Sequence, residues 1–153
     1  MENIIQLLHD FFKNGDWKYS YDEEKNIFTS GINMNSALGN LNIIVRVRET
    51  SYTVYTILNS TAEKDTLNFV AEYLHRANYG LINGNFELDF DDGEVRYKTF
   101  VNFKDTAVSN EIIQDSVLLP IFMFEKYGKN LMKVMLGSND PKQLIEEIEN
   151  SAE

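Results

Sequence analysis

Residues 41–58 read LNIIVRVRETSYTVYTIL, and this stretch determines the predicted fold. Leu41, Ile43, Val45 and Val47 recur with the period of two that is typical of a β-strand. Residues 52–58 are rich in β-branched and aromatic side chains, which favours a second strand. The three residues between these strands are too few for a parallel crossover, so we predict an antiparallel pair.

Segments on the N-terminal side extend the predicted sheet. Apolar residues at 4, 5, 8, 11 and 12 form one stripe of a helix over residues 2–13, which ends at Asn14-Gly15. Aromatic and aliphatic residues then mark one strand over residues 17–21 and another over residues 28–34. The predicted meander therefore has four strands.

A helix and a hairpin follow the meander. Ser60 and Glu63 have the spacing of a capping box, in which each side chain satisfies a free N–H of the other residue's backbone. The predicted helix ends near residues 78–80. Asp92-Gly93 predicts a tight turn between two strands, because the central residues of such turns need positive φ.

Two helices complete the chain. Ser109 is the predicted cap of a long helix that ends near Leu136, with a bend or a split at Pro120. Asp140-Pro141 opens the last helix. The order α-ββββ-α-ββ-α-α lacks βαβ alternation, so we predict an α+β fold, a twisted antiparallel sheet with helices packed mainly on one face. We expect residues 1–153 to form one domain.

Charge and composition exclude several classes of partner. The chain has 24 acidic and 14 basic residues, for a formal net charge of −10. Nucleic-acid binding depends on Lys and Arg residues that neutralise phosphates, and no basic block is present, so we expect no nucleic-acid partner. The same charge disfavours an anionic membrane surface. The longest apolar run, residues 117–124, is far shorter than the ~20 residues that span a bilayer.

Cysteine usage and the N-terminus indicate the compartment. The chain has no cysteine, which excludes disulfide and thiolate chemistry and is typical of a reducing environment. No basic segment precedes the first apolar residues, so we expect no signal peptide. A cytoplasmic location follows.

The sequence predicts no catalytic, metal or cofactor site. A nucleophile needs a nearby base, and both histidines, His9 and His75, lie beside apolar helix stripes as ordinary boundary residues. The acidic residues over 89–94 do not fit a calcium loop, since Leu88 would occupy its first ligand position. We interpret them as a solvated turn. We therefore expect no enzymatic activity and no cofactor.

The chain has more apolar residues than a peripheral helix or a half-covered sheet needs. Residues 117–124 read VLLPIFMF and are apolar on every side of a helix, so this helix is either central or meets another chain. Strand 52–58 carries large groups on both faces, and either a second layer or a partner covers the outer one. The predicted partner-binding residues are Tyr55, Ile57, Val117, Ile121 and Phe124.

Four short motifs lie between residues 70 and 97. They are VAEYL (70–74), NYGL (78–81), GNFELD (84–89) and DGEVRY (92–97). A helix that ends in asparagine, a strand entered through glycine and phenylalanine, and an Asp-Gly-Glu-Val turn together resemble the YbjN-like family. The resemblance covers nearly the whole chain in element order, and these motifs specify structure more than function.

The resemblance implies a fold like that of the type III secretion chaperones, often dimeric. The family is described as sensory-transduction regulators, and it offers no established catalytic residues for transfer to this chain. Its chaperone-like relatives bind extended client segments along hydrophobic grooves.

Three functions remain open at this point. The first is a non-catalytic, homodimeric protein-binding or chaperone-like module, favoured by the apolar surplus and the missing catalytic set. The second is a small-molecule-binding regulator with a pocket between the sheet and the second helix, near Asn78, Tyr79 and Tyr97. The third is a hydrolase that uses two acids brought together by the fold.

Overall fold

The computed structural model describes residues 1–152 and confirms the predicted element order. The helices are α1 (Glu2–Asn14), α2 (Leu67–Tyr79), α3 (Asn110–Met135) and α4 (Pro141–Glu149), followed by a short 3₁₀ turn over Asn150–Ala152. The strands are β1 (Tyr19–Asp22), β2 (Ile27–Asn33), β3 (Asn40–Val47), β4 (Ser51–Leu58), β5 (Asn85–Leu88) and β6 (Val95–Asn102). They form one antiparallel sheet in the order β1-β2-β3-β4-β6-β5.

The central hairpin has the predicted register. Strands β3 and β4 pair from Leu41 opposite Leu58 to Val47 opposite Tyr52. One side of this hairpin, including Ile43 and Val54, is fully buried under the helices. The alternation of the sequence therefore decides which side of each strand meets the helix layer.

Helix α3 is the centre of the helix layer. It contacts β4 and β6, and both α1 and α2 pack against it. Helix α4 packs on α2 and α3. All four helices lie on one face of the sheet, as predicted, and their buried residues form two clusters with the inward residues of the strands.

Pro120 lies inside α3 without splitting it, so the helix is continuous. Proline has no N–H, and the Ser116 carbonyl four residues earlier therefore lacks its helical donor. Thr99 of β6 fills this place, because its hydroxyl donates to the Ser116 carbonyl at 2.7 Å. The sheet thus satisfies the group that the proline leaves free.

Replacing Thr99 with valine should lower the free energy of unfolding by about 1–3 kcal/mol, because the buried Ser116 carbonyl then has no donor. The Pro120→Ala substitution restores a helical N–H to that carbonyl. The same Thr99→Val change should therefore cost less in the Pro120→Ala background. Urea unfolding of the four proteins measures both costs, and equal costs would contradict this role of Thr99.

Two local predictions around α2 were wrong. The capping box does not form, and α2 begins at Leu67 after Thr66. The backbone N–H of Ala62 instead donates to the Gly93 carbonyl at 2.9 Å, so the segment before α2 is tied to the β5–β6 loop.

The β5–β6 loop is wider than the predicted two-residue turn. The Gly93 N–H donates to the Asp89 carbonyl, and only Gly93 of the predicted pair has positive φ.

Candidate interaction surface

The sheet face opposite the helices carries an unusual set of side chains. We call this surface the open face. The strand alternation and register place on it the residues Thr29, Asn42, Ile44, Arg46, Thr53, Tyr55, Ile57, Arg96, Lys98 and Phe100. No helix packs against these positions in the part of the chain that the structure describes. This face is therefore available to another molecule.

Apolar groups occupy the middle of the open face. Ile44 lies opposite Tyr55 across the β3–β4 pair, and Ile57 follows on the same side of β4. Phe100 of β6 lies opposite Thr53 and is 57% exposed. A water-facing side of an antiparallel sheet usually carries polar residues, so an apolar centre on this side is unusual.

A charged network borders the apolar centre on the β5–β6 side. Glu87 accepts from Arg96 at 2.6 Å and also from Lys98, and the Arg96 guanidinium lies 4.6 Å from the centre of the Tyr55 ring. Burial alone would raise the pKa of Glu87, but the hydrogen bonds from Lys98 and Arg96 outweigh it and hold the pKa below its usual value. Glu87 therefore stays ionised and fixes both cations beside Tyr55.

Two arginines lie on the other side of the apolar centre, Arg46 within the open face and Arg48 at its edge. Arg46 and Arg48 are both exposed, and neither forms an ion pair within residues 1–152. Arg48 donates from Nη1 to the Thr53 hydroxyl at 3.1 Å, which directs its guanidinium onto the open face. Although the chain has a net charge of −10, these two arginines place positive charge beside the apolar centre.

The structure separates the five predicted partner-binding residues into two groups. Tyr55 and Ile57 lie on the open face, partly exposed. Val117, Ile121 and Phe124 lie on the inner side of α3 and are 0%, 7% and 0% exposed. These three belong to the core of the subunit, and their prediction as partner contacts is corrected. Helix α3 is central, the first of the two alternatives.

Ile44 was not among the five predicted partner-binding residues, and neither was the aromatic Phe100. The outward positions of its strand are otherwise polar, namely Arg96, Lys98 and Asn102. An aromatic side chain within a polar alternation is the signal that could have identified it.

Several of the residues considered for chemistry make structural hydrogen bonds. His9 Nδ1 is 2.9 Å from the Tyr19 hydroxyl, and burial lowers the pKa of His9. In the 89–94 loop, the carboxylates of Asp89 and Asp92 accept from the backbone N–H groups of Asp91 and Glu94. Within residues 1–152 the structure forms no group of three acids or histidines able to hold a metal ion. None of the described helices is long and apolar enough to cross a membrane.

The pocket predicted between the sheet and α2 does not assemble around its three named residues. The Asn78 side chain bonds both the N–H and the carbonyl of Phe86, at 2.7 and 2.9 Å. Tyr97 is buried and donates to the Asn83 carbonyl. Tyr79 is 95% exposed. The interface of α2 and the sheet is filled by core side chains.

A separate cleft lies between α1 and the first turns of α3. Its volume is about 520 Å³. Its walls include Phe11, Trp17 and Leu118, with the polar groups of Asp10 and Gln114. The size is within the range of small-molecule sites.

Two solved structures are similar to this fold. YbjN from E. coli, a candidate transcription regulator, matches with a TM-score of 0.57 at 6% identity, over 82% of this chain and 91% of that one. A chain of the ExsC–ExsE complex matches with a TM-score of 0.54 at 12% identity, over 85% of this chain and 94% of that one. These likenesses confirm the predicted YbjN-like, type III secretion chaperone-like fold. The sequence matches no family model and no curated protein.

Proposed function

We propose that this protein is a non-catalytic, homodimeric protein-binding module of a chaperone-like or regulatory kind, located in the cytoplasm, and that its partner docks on the open face. One observation carries this proposal. The open face combines an apolar centre, Ile44, Tyr55, Ile57 and Phe100, with Arg46 and the adjacent Arg48, which form no ion pair within residues 1–152.

Aromatic and arginine side chains suit this role. Tyr and Arg are enriched among the residues that dominate binding energy at protein interfaces. The Tyr55 ring is held against Arg96, and Arg96 is held by Glu87, so the tyrosine loses little rotamer freedom when it is covered. The open face is therefore organised before the partner arrives.

The similar structures support a protein partner without assigning one. The structure that contains ExsC is a complex with a second protein, ExsE, and YbjN is described as a candidate transcription regulator. A fold shared at this identity does not transfer a function. The partner of this chain therefore has to be found by experiment.

A photo-crosslinking amino acid at position 55 tests the open face directly. We expect it to form adducts with a discrete partner in the native host, because Tyr55 lies in the apolar centre. Position 68, an exposed asparagine on α2, is the matched control on the helix side. Adducts should disappear when Arg48→Glu is added, and equal adduct yields at 55 and 68 would contradict the proposal.

A small-molecule-binding regulator is the second candidate, and the cleft beside Trp17 is the observation that favours it. The indole makes this candidate easy to separate from the first. A ligand in the cleft changes the tryptophan fluorescence, whereas a protein on the open face lies on the other side of the sheet.

A further inference from the structure

The outer side of α3 carries a regular ridge. We call this set the α3 ridge: Ile112, Asp115, Leu119, Phe122, Lys126 and Lys129. Successive ridge residues are three or four positions apart, which is the spacing of seam residues in a pair of packed helices. Ile112 and Phe122 are 41% and 54% exposed, while Val117 and Phe124 on the opposite side of the helix are fully buried. The ridge is therefore a second apolar seam that the subunit itself does not cover.

The charges of the ridge are separated by sign along the helix. Asp115, with Glu111 beside it, lies in the first half, and Lys126 and Lys129 lie in the second half. None of these four residues forms an ion pair within the described part of the chain. The exposed Glu125 lies beside Lys126 but outside the ridge. Asp115 and Lys126 are about 16 Å apart along one helix, so they do not pair within a subunit.

The ridge is complementary to itself when reversed. In an antiparallel pair about a two-fold axis midway between positions 119 and 122, Leu119 meets Phe122 of the second copy. Asp115 then meets Lys126 of that copy, and Ile112 meets the aliphatic stem of Lys129. Symmetry makes every contact occur twice, so one chain supplies both halves of each pair.

We propose that two copies of this chain dimerise through antiparallel pairing of their α3 ridges. The proposal rests on the homodimeric part of the proposed function and names its interface. The complementary signs favour a second copy over an unrelated partner, since a foreign helix would have to reproduce the same order of charges. The open face lies on the other side of the sheet and stays free in such a dimer.

Charge exchange at two positions tests the proposal. Asp115→Lys or Lys126→Asp alone puts like charges together twice in each dimer, and we expect the dimer Kd to rise by about tenfold or more. The double variant Asp115→Lys/Lys126→Asp reverses both pairs, keeps the net charge, and should restore the Kd to within about threefold. Sedimentation equilibrium over a wide concentration range measures each Kd.

Lys64→Asp is the matched control, because it makes the same charge change as Lys126→Asp at an exposed position outside α3. Its Kd should stay near that of the wild type. A dimer that ignores both single substitutions, or a double variant weaker than either single one, would overturn the proposal. A chain that is monomeric at all concentrations would overturn the proposal as well. Crosslinking from position 55 would still test the open face independently in that case.

Discussion

Replacing Phe124 with aspartate is expected to unfold the protein, whereas replacing Phe122 with aspartate leaves it folded. Phe124 is fully buried, and its ring packs edge-on against Phe86 with 5.3 Å between ring centres. The substitution removes an aromatic ring and puts an unpaired carboxylate in its place. Each change alone costs several kcal/mol, and together they approach the about 5–15 kcal/mol that stabilises a typical domain.

Phe122 is the matched control, two residues away in the same helix. It is 54% exposed, so aspartate at this position meets water, and the expected change in stability of the monomer is within about 0.5 kcal/mol. Far-UV circular dichroism and urea unfolding, both at concentrations where the wild type is monomeric, distinguish the two variants. A folded, soluble Phe124→Asp monomer would show that the inner side of α3 is not core.

Replacing Gly93 of the β5–β6 loop with alanine is expected to destabilise the protein more than the same change at Gly39, which also has positive φ. Gly93 has φ of +77°, a conformation that side chains other than glycine disfavour by about 1–2 kcal/mol. A Cβ atom at this position would also lie 2.1 Å from the Ala62 carbonyl oxygen. This oxygen belongs to backbone that is hydrogen-bonded to Gly93 itself, so it cannot move away without loss of that bond.

Gly39 separates the two causes, because its φ is +64° but a Cβ atom there meets nothing within 4 Å. Gly39→Ala should cost only the conformational strain of about 1–2 kcal/mol. Gly93→Ala should cost at least about 2 kcal/mol more, since overpacking against backbone is added. Urea unfolding of both variants gives the difference. Equal losses of stability would contradict the close approach of the β5–β6 loop to Ala62.

The sheet was predictable because its strands alternate. In β3 and β6 polar and apolar residues alternate at most positions, with Ile44 and Phe100 as the outward exceptions, so period, pairing and face follow from the sequence. The start of α2 was not predictable, because the Ala62 N–H donates to the carbonyl of Gly93, thirty-one residues later. A local capping pattern contains no information about such a contact.

The apolar run of α3 also does not reveal which side of the helix faces the core. All eight residues of 117–124 are apolar, so the run has no phase that marks one side of the helix. The phase lies in the flanking charges, since Asp115 before the run and Lys126 and Lys129 after it all lie on the exposed side. Those positions place Val117 and Phe124 on the opposite side.

The outer face of β4 posed a different problem. Tyr55 and Ile57 are as large as their inward neighbours, and the sequence offered no way to tell whether a second layer covers them. Only the packing of all four helices on the other side shows that they are uncovered.

The role of the open face is tested most directly by NMR of the isoleucine methyl groups while the partner identified by crosslinking is added. The chain offers well-placed probes, with Ile44 and Ile57 on the open face, Ile43 and Ile113 in the core, and Ile112 on the α3 ridge. We predict that added partner shifts the signals of Ile44 and Ile57 and leaves Ile112 unchanged. Shifts at Ile112 with none at Ile44 and Ile57 would contradict the assignment of the open face as the partner site.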